Sequence, residues 1–125
     1  MELTAFFKSV LEQDTAPVVL CDLEDTIVYL NPAAAHAYQS YGGAALLGRS
    51  LLDCHPAEAC AQIHKVVEWF AASADHNIIY TYKNTQENKD VYMVALRDDE
   101  KNLIGYYEKH EYRTTERRAL YDFTD

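Results

Sequence analysis

Leu3, Phe6, Phe7, Val10 and Leu11 recur at the i, i+3, i+4, i+7, i+8 spacing that lines one side of a helix, so residues 1–13 predict an amphipathic helix. Pro17 ends that period. VVLCD (18–22) and TIVYLN (26–31) are β-branched and aromatic runs separated by Leu23-Glu24-Asp25, and Asp25 tolerates left-handed backbone, which predicts a hairpin. Asn31-Pro32 starts a helix, because the Asn side chain accepts from free backbone N–H groups and Pro has no N–H to leave unpaired. PAAAHAYQ (32–39) follows, Gly42 and Gly43 stop it, and Gly48 closes a further short helical piece before RSLLDC.

From Pro56 to about Ser73, Ala59, Cys60, Ile63, Val66, Val67 and Phe70 fall on one helical face and Glu58, Gln62, Lys65 and Trp69 on the other. Pro56 suits the first helical position, with Asp53, Cys54 or His55 near the cap. Three strand-like runs come next, NIIYTYK (77–83), DVYMVALR (90–97) and NLIGYYEKHEY (102–112), separated by polar turns as in an antiparallel meander. Alternation puts Ile78, Tyr80 and Tyr82 on one face of the first, and sets Tyr92, Val94 and Leu96 against Val91, Met93 and Ala95 in the second. RTTERRALYDFTD (113–125) reads as a frayed helix or a tail.

Composition narrows the partners. A chain of 125 residues, 49% apolar, supports one globular core, and its net charge of −9 repels a phosphate backbone, so no nucleic acid is expected. No run approaches the roughly 20 apolar residues of a membrane span and no secretory signal opens the chain, so the expected site is the cytoplasm, without membrane attachment. Three cysteines, an odd count, fit a reducing compartment.

Cys54, His55, Cys60 and His64 crowd one stretch as C-H-x4-C-x3-H, which lacks the paired spacing of a structural zinc site, so no metal is expected. Helix initiation and packing account for most of it. Cys54 is kept as a redox candidate, because a thiol facing a helix N-terminus is stabilised as thiolate.

The order of elements, with APVVLCDLEDTIVYLNPAAAHAY, ALLGRSLLDCHP and EYRTTERR in sequence, resembles the PAS (Per-Arnt-Sim) family, common in bacterial signalling proteins. Cys-His-Pro before the long helix is similar to a subgroup of that family. The resemblance implies an α+β fold: a five-stranded antiparallel sheet with short helices and one longer helix on one face, preceded by the N-terminal amphipathic helix. It divides the chain into a helix (1–13), a core (14–116) and a tail (117–125). Two positions depart from the family's pattern: Asp25 replaces the usual turn Gly, and Arg113 replaces the Asp of the closing Asp-Ile-Thr-Glu-Arg motif. With no kinase, cyclase or DNA-binding region following, signalling is expected in trans, through a separate protein partner.

The resemblance further implies a small, apolar ligand between the long helix and the sheet, or no ligand, with Ile63, His64, Val67, Tyr80, Tyr92 and Tyr106 as pocket candidates. Haem-binding relatives use a His of the long helix, which makes haem on His64 a lesser alternative. In photosensory flavin relatives a Cys stands where this chain has Leu51, which argues against covalent flavin chemistry. Most of the ten tyrosines are expected simply to cover sheet faces. Leu3, Phe6, Phe7, Val10 and Leu11 make a wide self-complementary stripe, read as a homodimer interface. The competing readings are a ligand-free dimerisation scaffold and a small α+β enzyme of the ketosteroid-isomerase type. The enzyme reading is weakened because a hairpin precedes the main helices and no Asp or Glu in an apolar strand context stands out as a general base.

Overall fold

The computed structural model describes residues 2–125, apart from the side chain of Cys54. Helix α1 (Thr4–Gln13) leads into strands β1 (Val19–Asp22) and β2 (Ile27–Leu30), and helix α2 (Pro32–Ala37) follows directly. Three single 3-10 turns, Gln39–Tyr41, Gly43–Leu46 and Leu51–Cys54, carry the chain to helix α3 (Ala57–Ala72). Strands β3 (Ile78–Asn84), β4 (Lys89–Arg97) and β5 (Leu103–Tyr112) complete an antiparallel sheet in the order β2-β1-β5-β4-β3. Residues 113–125 form neither helix nor strand. No described helix is long and apolar enough to cross a membrane.

Each predicted punctuation mark has a physical counterpart. Asp25 sits at φ 64° in the β1–β2 turn, while Asp22 Oδ1 accepts from the backbone N–H groups of Glu24 and Thr26, both at 3.0 Å. Asn31 is fully buried: its Oδ1 accepts from Ala34 N and Val18 N, both at 2.9 Å, and its Nδ2 donates to the carbonyls of Leu11 (2.9 Å) and Ala16 (3.0 Å). One side chain therefore caps α2, closes the hairpin and tethers the end of α1. Pro56 lies one place outside α3, with ψ 160°, because extended backbone there delivers the chain from the last 3-10 turn; the helix begins at Ala57.

Ile63, Val66 and Phe70 of α3 are buried against Cys21, Ile27, Met93 and Tyr106 on the inner face of the sheet, as their spacing requires. The far end of α3 is fixed by Arg97, whose guanidinium donates to the carbonyls of Phe70 (2.7 Å), Ser73 (3.0 Å), His76 (3.1 Å) and Lys101 (3.1 Å), and to Asn77 Oδ1 (2.6 Å). It thereby satisfies the orphan carbonyls of the last turn. β1 and β5 approach so closely that a Cβ at Gly105 would lie 2.1 Å from the carbonyl oxygen of Cys21.

Two departures from the expected pattern matter. In β3, Tyr80 pairs with Tyr92 but Tyr82 pairs with Val91, so Thr81 is an extra residue, its Oγ1 donating to Val91 O at 3.1 Å. This bulge moves Tyr82 to the inner side, against the expectation that it shares a face with Ile78 and Tyr80. Helix α1 is the other: none of its residues is buried, and Leu3, Phe6, Phe7 and Val10 are 44%, 59%, 63% and 70% exposed.

Candidate functional site

Between α3, the 3-10 turns and the inner face of the sheet lies a cavity of about 210 Å³. Its floor is Val19, Cys21, Ile27 and Met93; Leu46, Leu51 and Ile63 close it from the helical side. The polar groups that reach it are Tyr38, Tyr41, His55, Tyr106, Glu108 and His110. A wider groove of about 540 Å³ runs beside it between α3 and the β3–β4 edge, and His55, Ile63, Met93 and Glu108 border both spaces.

β5 supplies the polar wall because its residues alternate. Tyr106, Glu108 and His110 stand opposite Ala95, Met93 and Val91 of β4 and point to the inner face. Tyr106 donates to Asp25 Oδ1 at 2.6 Å, and burial followed by this bond raises its phenol well above the ordinary range. Burial likewise pushes the Cys21 thiol up to about 12, so it is held as an inert thiol. The Glu108 side chain is partly exposed, and the desolvation it does undergo raises its carboxyl, against the pull of His55 and Lys89. His110 Nε2 lies 3.5 Å from Glu108 Oε1, and its side chain is 5% exposed. Burial, then the charge of Lys89, lowers its imidazole to about 4, so the ring is neutral near pH 7; its Nδ1 is buried without a hydrogen-bond partner. His55 Nδ1 donates to the carbonyl of Leu51 at 2.9 Å, which fixes that ring over the cavity. Tyr38 is pushed up to about 12, first by burial and then by the charge of Glu108.

Of the pocket candidates taken from sequence, Ile63 and Tyr106 line the cavity. Val67 packs against the core beside it. Tyr80 and Tyr92 pair on the outer face, ring centroids 5.3 Å apart, with Tyr80 donating to Asp90 (2.7 Å) and Arg113 donating to Tyr92 (3.2 Å). They are set there because Val91 and Met93, their alternates, carry the buried face. His64 lies outside the cavity, its Nε2 3.5 Å from Asp25 Oδ2 and its side chain 55% exposed. Position 64 therefore does not fit an iron ligand inside the pocket. Leu51, at the photosensory Cys position, contributes an aliphatic wall.

Cys60 points its thiol at the carbonyls of Leu52 and His55, both at 3.6 Å, which is packing at the base of α3. The side chain of Cys54, the redox candidate, lies outside the described residues. Among those described, no three His, Cys, Asp or Glu side chains converge as a metal would need.

The sequence reading missed Tyr38, Tyr41, Glu108 and His110. For the last two a signal was present: Glu and His follow Tyr106 at i+2 and i+4 in a strand, and the expectation that no acid stood in a strand core overlooked Glu108.

A family model described as "PAS fold" matches residues 11–119. The PAS domain of a protein from Colwellia psychrerythraea superposes with a TM-score of 0.65 at 11% identity, covering 89% of this chain and 97% of that one. The Aer2 receptor from Vibrio cholerae, a dual PAS-haem oxygen sensor, gives 0.54 at 20% identity, over 78% of this chain and 94% of that one. The VqmA dimer from Vibrio cholerae gives 0.60 at 17% identity, over 90% of this chain and 53% of that one. No curated protein is similar enough to count as a match. With the matched segment spanning nearly the whole chain, and the sheet order and α3 placed as described, the protein belongs to the PAS family.

Proposed function

We propose that this PAS domain is a non-enzymatic sensor whose cavity takes a small, largely apolar ligand and which acts in trans on a separate cytoplasmic protein. The observation that carries this reading is the cavity itself. It is a largely apolar, partly open space of about 210 Å³, bounded by elements of both halves of the chain. Space of that kind at the core of a small domain is where a ligand gains most from burial. A ligand that fills it biases the position of α3 and the 3-10 turns only as far as it binds one arrangement better than another. A structural neighbour of the same fold is a haem oxygen sensor, which supports a ligand-binding reading.

The exposed stripe of α1 favours a companion reading, a homodimer in which Leu3, Phe6, Phe7, Val10 and Leu11 of two copies cover each other. A scaffold that dimerises without any ligand rests on the same stripe. Native mass spectrometry of freshly purified protein, with a visible absorption spectrum, separates them. A dimer carrying added mass that is lost on denaturation supports the sensor; a bare dimer whose melting point no small molecule raises supports the scaffold.

A further inference from the structure

We infer that the cavity's ligand is a compact amine, its ammonium held by Glu108 and faced by the rings of Tyr38 and Tyr41. The inference rests on the sensory reading above and adds the chemical class of the ligand. Glu108 is the one carboxylate among the residues lining the cavity, and no lysine or arginine lines it. The two groups whose charge acts on it are engaged elsewhere: His55 Nδ1 by the carbonyl of Leu51 at 2.9 Å, and Lys89 Nζ by Glu87 at 3.0 Å, 5.3 Å over the ring of Tyr112. Among the described residues, the one ion-pair-range contact of its carboxylate is His110 Nε2, at 3.5 Å, and a neutral imidazole brings no countercharge.

The Glu108 carboxylate, 42% exposed, stands at the wall of an apolar cavity with no lysine or arginine beside it, and a ligand that brings the cation gains a charge-assisted hydrogen bond there. Tyr38 and Tyr41 border the same space, and electron-rich ring faces attract an ammonium. Apart from His55, Tyr106 and His110 the remaining wall is apolar, which suits a hydrocarbon or aromatic body. A volume of about 210 Å³ lies below the roughly 300–1,000 Å³ of drug-sized sites, which limits that body to about one ring. A net charge of −9 also draws cations toward the protein and turns anions away.

The test is a charge series on one body, titrated into the full chain by calorimetry with NMR detection: phenethylamine, phenethyl alcohol and 3-phenylpropanoate. The amine is expected to bind roughly tenfold or more tighter than the alcohol, with the carboxylate weakest. In Glu108→Gln, amine affinity is expected to fall about tenfold while that of the alcohol stays unchanged. Equal binding of amine and alcohol, or preference for the carboxylate, overturns the amine assignment and leaves the cavity reading standing. If none of the three shifts a resonance of a cavity-lining residue, the sensory reading itself fails. The series on the unaltered protein decides the matter even where Glu108→Gln does not fold.

Discussion

Tyr106 donates its phenolic hydrogen to Asp25 across 2.6 Å, a buried bond that joins the last strand to the first turn over 81 residues of chain. It gives Asp25, held at φ 64°, a partner in the interior, while His64 approaches its other oxygen from outside. Tyr106→Phe keeps the ring and strips the donor, leaving a buried carboxylate short of one bond. Urea denaturation is expected to show a loss of about 1–3 kcal/mol with an unchanged m-value. A loss within error would mean that the bond is marginal in solution.

Gly105 provides the second prediction. With Cys21 O only 2.1 Å from where a Cβ would stand, Gly105→Ala forces β1 and β5 apart. A destabilisation of about 3 kcal/mol is expected. Thermal melts of the two proteins side by side would check it.

Arg97 ties five acceptors at the C-terminus of α3 with one planar fork. Lysine keeps the charge but cannot span that set, so Arg97→Lys should cost about 2 kcal/mol. Amide exchange should quicken first in the last turn of α3. Exchange that quickens uniformly would argue against a local clamp.

His110 gives the fold an acid sensitivity of definite sign. An imidazole titrating near 6.5 in the unfolded chain and at about 4 in the fold makes the unfolded chain take up its proton first as pH drops. Its contribution is therefore whole above about pH 6.5 and is lost progressively toward pH 4, amounting to on the order of 3 kcal/mol at most. Glu108, shifted upward, works in the opposite sense and softens the loss, because its protonation in the fold comes early. Stability measured by denaturant between pH 7 and pH 4 should fall less steeply in His110→Phe than in the parent. Parallel curves would refute the assignment.

For α1 the expected result is a change of mass without a change of core. Phe6→Glu combined with Val10→Glu places charge on side chains that are 59% and 70% exposed in one copy. Light scattering should report a dimer for the parent, as proposed, and a monomer for the variant. The melting of the isolated core should be retained, since no residue of α1 is buried within one chain.

Much of this architecture is legible in the sequence because it is local. Asn31-Pro32, the acidic turn at Asp25 and the 3.6-residue period of Ile63, Val66 and Phe70 each specify backbone within a few residues, and the structure has them in place. The cavity is less legible, for two physical reasons. Period-two alternation separates the faces of a strand without saying which one looks inward, so Tyr80 and Tyr92 pass for pocket residues until the burial of Val91 and Met93 assigns the other face. Bulges at Thr81 and at Val28 then shift the register, and nothing in either strand's composition marks them. Tyr38 reaches the cavity from the C-cap of α2 and Tyr41 from the end of the first 3-10 turn, segments with too few residues to carry a period.

The middle strand of the sheet, β5, is also the last to leave the ribosome. Until residues 103–112 are present, the β1–β2 and β3–β4 pairs each have a bare edge facing the gap that β5 fills. Translation therefore has to run through Tyr112 before either half gains its neighbour. Joining them is a distant pairing, of the kind that folds on the millisecond-to-second scale. A nascent chain stalled short of that residue would present two unpaired edges, and chaperones that shield such edges are the expected escorts of this protein during synthesis.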